Sequence, residues 1–421
     1  VGNAVDLLTS RFNELQDFLY AQVIQGNIVR SERNQPIQRL WQPDAVAWQT
    51  LTRYLTQIDD TLLQLFTALT QLQRYITNQA EHWSQRVTAM AATISAAAED
   101  LRPLTDDLDQ LSRIQMASHP SAGFVIQMRN YGDLRSVSLH WAQVDIRPLW
   151  AAVTRRFAPF IYVGATLRVM DNWQPFCQPL GITDAIKMVL PNGFAYKRLG
   201  RVFITPDAPD IKETPPAEYA HYVAGMIEQL SRANHQRILV LFNSLSLIQQ
   251  VFDEMSELSL IGQRELLAQG VTGSVEKVMK RFKLADGAIL LGAATFWEGI
   301  DLPNDTLQIL VVTRLPFEPP TRPLTQLRAN FITAQGGNPF YQDALPRATQ
   351  RLTQAFGRLF RSRQDHGVLI ILDRRIMAES WGHQMLHDLP RTVPKVQLPS
   401  AEIAQATADF LAGIPVKKVK T

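Results

Sequence analysis

Cysteine is nearly missing from this sequence: Cys177 is the only one in 421 residues. A single thiol closes no intrachain disulfide and supplies no cysteine-ligated zinc or iron–sulfur site, so those frameworks are excluded. The same usage fits a reducing, cytoplasmic setting. Lysine is missing before Lys187, and the cationic side chains of that first stretch are arginines. Nowhere does Gly-Lys precede Ser or Thr, so the loop that cradles nucleotide phosphates in P-loop enzymes is not in this chain. No apolar run reaches the roughly 18 residues of a membrane-spanning helix, and no signal-peptide pattern leads the sequence, which leaves no membrane partner to expect. Internal repeats and long low-complexity segments are also lacking.

What is present is ordinary globular material, with 46% apolar and 19% charged residues. The length suggests two or three domains. A net charge of +3 permits a nucleic-acid partner without requiring one. The chain starts at Val1 inside a helical periodicity and reads as a fragment of a longer protein.

Up to about residue 118 the pattern is long amphipathic helices. Val5, Leu8, Phe12, Leu15, Leu19 and Val23 recur every three or four positions. Further helices are expected over 44–79 and 81–99, with Pro103 closing the run. Short strands follow at 123–128 and 136–142, then a helix over 147–157. Phe160-Ile-Tyr-Val-Gly-Ala-Thr-Leu167 reads as a buried strand ending in a small-residue turn. The proline-rich stretch 171–216 reads as irregular and places a domain boundary near residue 172.

The remainder alternates strand and helix. Apolar strands are expected at 237–242, 265–269, 287–291, 307–313 and 367–372, and helices at 216–233, 244–255, 274–282, 346–363 and 401–411. Near-continuous apolar strands separated by helices predict an α/β fold, a parallel sheet with helices on both faces.

Functional groups of such sheets collect at the carboxyl ends of the strands. Asn243 and Ser244 stand there, at a helix N-terminus where free N–H groups favour phosphate, although simple capping explains most such residues. Gly292-Ala-Ala-Thr-Phe-Trp-Glu-Gly-Ile-Asp-Leu-Pro303 opens after another strand. Thr295 offers a hydroxyl for a phosphate oxygen, and Gly299 allows close backbone approach. Glu298 and Asp301 are carboxylates among apolar neighbours, which need arginines, a ribose hydroxyl or a metal-bound water as partners. Trp297 reads as a packing residue.

In Gln350-Arg-Leu-Thr-Gln-Ala-Phe-Gly-Arg-Leu-Phe-Arg361, a helical pitch puts Gln354, Arg358 and Arg361 on one face. Leu352, Ala355, Phe356 and Leu359 fall on the other. Guanidinium forks match phosphate oxygens, so the polar face is a candidate anion receptor. His383 and His387 have the spacing of a two-histidine metal face, but no further ligand accompanies them.

These segments resemble the DinG-like helicases, in the DinG/XPD (Rad3-like) branch of superfamily 2. Residues 237–244 resemble motif IV, 292–303 motif V, and 350–361 motif VI. Gly164-Ala-Thr-Leu167 with Leu180-Gly-Ile182 resembles motif III and the start of the second motor domain. Val312-Val-Thr-Arg-Leu-Pro-Phe-Glu-Pro, Asn338-Pro-Phe and Asp373-Arg-Arg375 extend the likeness, which covers about 136–392.

The resemblance implies a RecA-like second motor domain over 173–421, closing strands of a first motor domain over 121–172, and an all-helical arch-like insertion over 1–120. It also implies an ATP-dependent DNA helicase that translocates on single-stranded DNA and opens forked DNA. In that reading Arg361 is the arginine finger and Arg358 a second γ-phosphate contact or a cleft-closing group. Gln354 and Glu298 orient them or the attacking water, Gly299 and Asp301 belong to the ATP-binding segment, and Asn243, Ser244 and Thr295 hold the DNA backbone.

Three departures qualify it. Gly164 stands where the family has serine. The four cysteines of iron–sulfur members are missing, which implies no cluster. Motifs I and II are not in this chain, so ATP and Mg2+ would be held largely by a missing N-terminal motor domain of the same protein, and the chain alone would be inactive. Some relatives of this kind also carry an N-terminal exonuclease domain. A non-motor, nucleic-acid-binding or regulatory scaffold derived from a helicase is the alternative reading, with Gly164 its one hint.

Overall fold

A computed structural model describes residues 2–24, 37–79, 85–112, 121–131, 134–157, 159–191, 193–257, 264–297 and 307–414. The chain divides into two compact units, Val1–Asp145 with Pro320–Ala334, and Ile146–Pro319 with Gln335–Thr421. The division falls at 145/146, earlier in the chain than the boundary the proline-rich stretch predicts.

The first unit opens with helix α1 (Gly2–Ile24), strand β1 (Ile37–Trp41), and the long helices α2 (Ala45–Asn78) and α3 (Gln85–Ser112). Asp44 caps α2 by accepting a hydrogen bond from the Ala47 N–H at 2.8 Å, which satisfies one of the free donors of the first turn. Pro103 lies inside α3 and does not end it. The tertiary contact of α2 with α3 outweighs the local cost of one lost ladder bond.

Strands β2 (Ala122–Tyr131) and β3 (Leu134–Gln143) form an antiparallel hairpin, and β1 adds to β2 to complete a three-stranded sheet. No local pattern signals β1, so this unit is helices plus a small sheet where helices alone are expected before residue 120. Its core is aromatic: Phe124 is fully buried, with Trp48 stacked at 5.8 Å between ring centres and Trp141 edge-on at 5.1 Å. Helix Pro323–Ala334 belongs here too, with Leu327 fully buried in a cluster with Val125 and Ala142.

The second unit carries helices α4 (Arg147–Arg156), α5 (Gln174–Leu180), α6 (Tyr196–Leu199), α7 (Pro216–Ala233), α8 (Leu245–Glu257) and α9 (Val275–Leu284). Past α10 (the first unit's Pro323–Ala334) come α11 (Leu345–Gly357), α12 (Arg375–Ala378), α13 (Ser380–Asp388) and α14 (Ser400–Leu411). Its strands are β4 (Gly200–Ile204), β5 (Ile238–Phe242), β6 (Leu266–Ala268), β7 (Ile289–Ala293), β8 (Ile309–Val312), β9 (Gly367–Ile371) and β10 (Lys395–Gln397). They make one parallel sheet in the order β10-β4-β9-β8-β5-β7-β6.

Side chains of one strand go to opposite faces. Thus Leu239 and Leu241 of β5 join the core beneath α9, α11 and α13, while Ile238, Val240 and Phe242 join the core beneath α7, α8 and α14. Burying each such side chain contributes roughly 1.5 to 3 kcal/mol, so a strand apolar at every position gains on both faces.

Two expectations need correcting. The strand expected over 160–167 does not form: these residues lie outside both sheets, with Ile161 88% and Val163 89% exposed. An apolar run becomes a strand only where a neighbouring strand meets its N–H and C=O groups. The helix predicted over 346–363 stops at Gly357, with Arg358 as its C-cap.

Candidate functional site

The carboxyl ends of β5, β7, β8 and β9 are locked together by a chain of polar contacts. At the end of β5, Ser244 accepts the Leu247 N–H at 3.2 Å and so caps α8. Asn243 donates its side-chain amide to the Leu315 carbonyl at 2.8 Å, just past β8. The Leu315 N–H donates to Asp373 Oδ2 at 2.9 Å, at the end of β9. Asp373 is fully buried and takes both its neighbour's forks: Arg375 Nε at 2.9 Å and Nη2 at 2.7 Å. A buried carboxylate is tolerable when it is paired and hydrogen-bonded in this way.

Beside that chain the Arg314 guanidinium lies 4.7 Å from the ring centre of buried Tyr219. Its buried Nε has no hydrogen-bond acceptor among the described residues. Burial pushes the Tyr219 hydroxyl above its ordinary pKa, and that hydroxyl donates to the Thr313 carbonyl. A cavity of about 350 Å³ at the same edge is lined by Asp210, Lys212, Arg374, Arg375 and Glu379, among others. Arg374 is paired there with Asp210, whose carboxyl is held below its usual range by the Lys212 N–H and by that arginine.

After β7 the backbone turns through a short 3-10 segment, Ala294–Phe296. Ala294 sits at φ 41°, a region that favours glycine. Gly292 has no room for a Cβ, because the Phe296 ring occupies that space. Trp297 is buried and donates its indole N–H to the Phe242 carbonyl at 2.8 Å, which ties the turn to β5 and makes it a packing residue. Thr295 stands exposed on the outside of the turn. Glu298, Gly299 and Asp301 lie outside the described residues.

Helix α11 ends against this turn. Arg358 is 8% exposed and donates from Nη1 to the Phe296 carbonyl. It is therefore buried on the turn, not aimed off the helix alongside Gln354 and Arg361 as an uninterrupted helical pitch would have it. Arg361 lies four residues past the helix end and is exposed. Its backbone is fixed by Asp365, whose Oδ2 accepts the N–H of Arg361 at 2.6 Å and of Ser362 at 2.7 Å. The Ser362 hydroxyl donates to Asp365 Oδ1 at 2.6 Å. Sequence reasoning missed this anchoring role, although the Ser-x-x-Asp spacing is a known local turn signal.

Gln354 faces a different neighbour, the Gly164-Ala-Thr166 loop. Its Nε2 donates to Thr166 Oγ1 at 3.1 Å. Gln350, one turn earlier, donates to the same oxygen at 3.2 Å and to the Thr166 carbonyl at 3.3 Å. Just beyond, residues 169 and 172 close a tight turn through two backbone bonds of 2.9 Å. Its central residues, Met170 at φ 50° and Asp171 at φ 60°, are not glycines. Left-handed backbone costs about 1 to 2 kcal/mol per such residue.

Asp388, at the end of α13, holds that turn. It accepts the Met170 N–H at 2.6 Å and the Thr353 hydroxyl of α11 at 3.2 Å. Burial raises the Asp388 carboxyl above the usual carboxylate range, against the downward pull of those two hydrogen bonds.

Among the described residues no three His, Cys, Asp or Glu side chains gather into a metal-binding group, and no helix is long and apolar enough to cross a membrane. Arg361, Thr295 and Lys212 are exposed at this edge and suit phosphate oxygens, while Asp210 and Glu379 line its cavity as carboxylates.

A seven-stranded parallel sheet with helices on both faces defines an open α/β domain whose functional groups stand at the carboxyl edge. The solved "Structure of S. tokodaii Xpd4" shares the fold, with a TM-score of 0.52 at 12% identity over 93% of this chain and 65% of that one. Residues 227–392 match the helicase C-terminal domain family. The "3'-5' exonuclease DinG" of Bacillus subtilis (strain 168) is 30% identical over 354 residues, which are 82% of this chain and 37% of that protein. The "ATP-dependent DNA helicase DinG" of Photobacterium profundum is 34% identical over 250 residues, 58% of this chain and 35% of that protein. The chain thus spans little more than a third of these relatives. This chain is thus similar to the C-terminal portion of these DinG relatives, and its fold is that of the Xpd4 structure.

Proposed function

We propose that this chain is the C-terminal part of an ATP-dependent DNA helicase and supplies the arginine side of its ATP site and part of its single-stranded DNA track. The observation that carries the reading is Arg361: an exposed guanidinium on a backbone pinned at two N–H groups by Asp365. A preorganised cation of this kind stabilises charge developing on a transferring phosphoryl group without moving at the moment of reaction. Arg361 is the arginine finger. Arg358 braces the turn after β7 and so sets the position of the motif V segment. Gln354 is aligned by Thr166 to orient the finger or the attacking water.

ATP hydrolysis supplies the free energy for translocation. The exposed Arg361 and Thr295 fit the phosphate side of a nucleotide. The P-loop and the metal carboxylates would come from a first motor domain of the same protein. The exposed apolar stretch around Ile161 and Val163 is suited to join its sheet. In the intact protein Glu298, Gly299 and Asp301 complete the nucleotide side.

The DNA track runs over Asn243, Ser244 and Thr295. Arg314, Arg374 and Lys212 lengthen the cationic edge in the direction of β4. Contacts of this kind address the sugar-phosphate backbone and need no base readout.

The test is to assay the purified chain for ATP turnover with MgATP and single-stranded DNA, next to the full-length protein. The chain should bind the DNA weakly and release no phosphate, while the full-length protein hydrolyses ATP. Robust DNA-stimulated turnover by the chain alone would falsify the division of labour.

A further inference from the structure

We propose that Asp388 is a positioning residue for the ATP site, a clamp that fixes the strained turn at 169–172 onto helix α11 and thereby sets the orientation of Gln354. The proposal rests on the reading that Gln354 belongs to the ATP site.

Three observations meet at this carboxylate. The turn has two successive non-glycine residues at positive φ, Met170 and Asp171. Backbone in that region persists only where the surroundings over-determine it, and such places mark functional constraints. The constraint here is a set of charges and bonds around the turn. Asp388 Oδ1 takes the Met170 N–H at 2.6 Å, and Asp171 is paired with Arg168 and, at 3.0 Å, with Arg391.

The second oxygen of Asp388 goes to α11. Thr353 donates to Oδ2 at 3.2 Å. Thr353 lies between Gln350 and Gln354 on the helix, and i, i+3 and i+4 residues share one face. That face meets the chain segment at two points, Thr166 through the two glutamines and Met170 through Asp388. A glutamine held at its tip alone keeps torsional freedom. With the loop's other end bolted to the same helix, Thr166 Oγ1 becomes a fixed acceptor and the Gln354 amide has one orientation. Burial of the carboxyl and its raised pKa agree with a group enclosed between α11, α13 and the turn. The charged or titratable groups facing it are Asp171 and His387.

The experiment uses the full-length protein with saturating single-stranded DNA. Asp388→Ala should lower kcat for ATP about tenfold or more, as misplaced catalytic groups do, and leave KM for ATP within about twofold. Thr353→Val should move kcat in the same direction by a smaller factor. Asp388→Asn keeps an acceptor for Met170 and a polar contact for Thr353, and should recover most of the loss. In a cycle with Gln354→Ala, the double variant should be no slower than Gln354→Ala alone, because both changes remove one orientation.

The proposal is overturned if Asp388→Ala keeps kcat within twofold, if its loss matches a loss of folded protein seen by circular dichroism, or if the two changes multiply. If Gln354→Ala slows turnover and Asp388→Ala does not, the clamp fails and the ATP-site reading stands. If Gln354→Ala itself has no effect, both fall.

Discussion

Arg358 and Arg361 are three residues apart in the sequence and occupy two different regions of the molecule. The turn after β7 swallows the first: Arg358 is buried and bonded to the Phe296 carbonyl. The loop beyond α11 displays the second: Arg361 is exposed while its backbone is held by Asp365. Helical spacing alone would give both side chains one face and one task. The end of α11 at Gly357 separates them, so one guanidinium becomes a structural brace and the other stays at the surface. Residue type and spacing are therefore poor guides to role when a helix stop falls between two members of a motif.

The largest effect should break the comparison on the activity side. In the full-length protein Arg361→Ala should cut steady-state ATP turnover by about 10³-fold or more, while its urea midpoint stays near that of the parent. A variant that keeps turnover within tenfold would remove Arg361 from the phosphate site. Next comes the brace. Arg358→Ala deletes the hydrogen bond that a buried charged group donates to the Phe296 carbonyl, at a cost of about 1.5 to 3 kcal/mol. Chemical denaturation of the chain itself reads this directly, and an unchanged midpoint would dissolve the contrast between the two arginines.

Asp365→Ala should fall between the two regions. It frees the backbone of Arg361 and Ser362 and should cost about 1 to 2 kcal/mol, like the loss of a helix cap. Turnover should drop several-fold through a looser Arg361, and unaltered kinetics would show that the loop is fixed by other contacts. The smallest effect is the pH dependence of Asp388. Its folded-state pKa is raised, so the native state binds a proton more tightly than the unfolded chain does. The stability it contributes is fully present below the unfolded carboxyl pKa and is lost as pH rises through the raised value. Urea midpoints of the parent relative to Asp388→Asn should therefore improve as pH falls from neutral toward about 4, the ordinary carboxyl range. A flat or inverted difference would show that the carboxyl is not perturbed upward.

Two apolar stretches show how much of the fold was legible. Ile238-Leu-Val-Leu-Phe242 reads as a buried strand and is one, because both faces of the sheet are covered and both ladder neighbours are present. Phe160-Ile-Tyr-Val163 has the same strand-forming composition and joins no sheet, because no described strand of its unit lies beside it. The caps at Ser244 and Ser274 were readable, since each side chain meets an N–H only three residues on. The strand β4 was hidden inside a proline-rich stretch, and its place between β10 and β9 comes from residues far away in the chain.

At the site, the candidate residues were visible as types and their partners were not. Nothing local says that Gln354 meets Thr166, 188 positions earlier, or that Asp388 meets Met170, 218 positions earlier.

Local sequence dictated the alternation of apolar strands and amphipathic helices, and with it a parallel sheet clad on both faces. It also dictated which side chains stand at the strand ends, because periodicity and caps are properties of neighbouring residues. Long-range packing settled where α11 stops, which of its two arginines is buried, and that a strained turn is clamped to it by Asp388. Those outcomes depend on side chains brought together from distant parts of the chain, whose desolvation and hydrogen bonding no local pattern encodes.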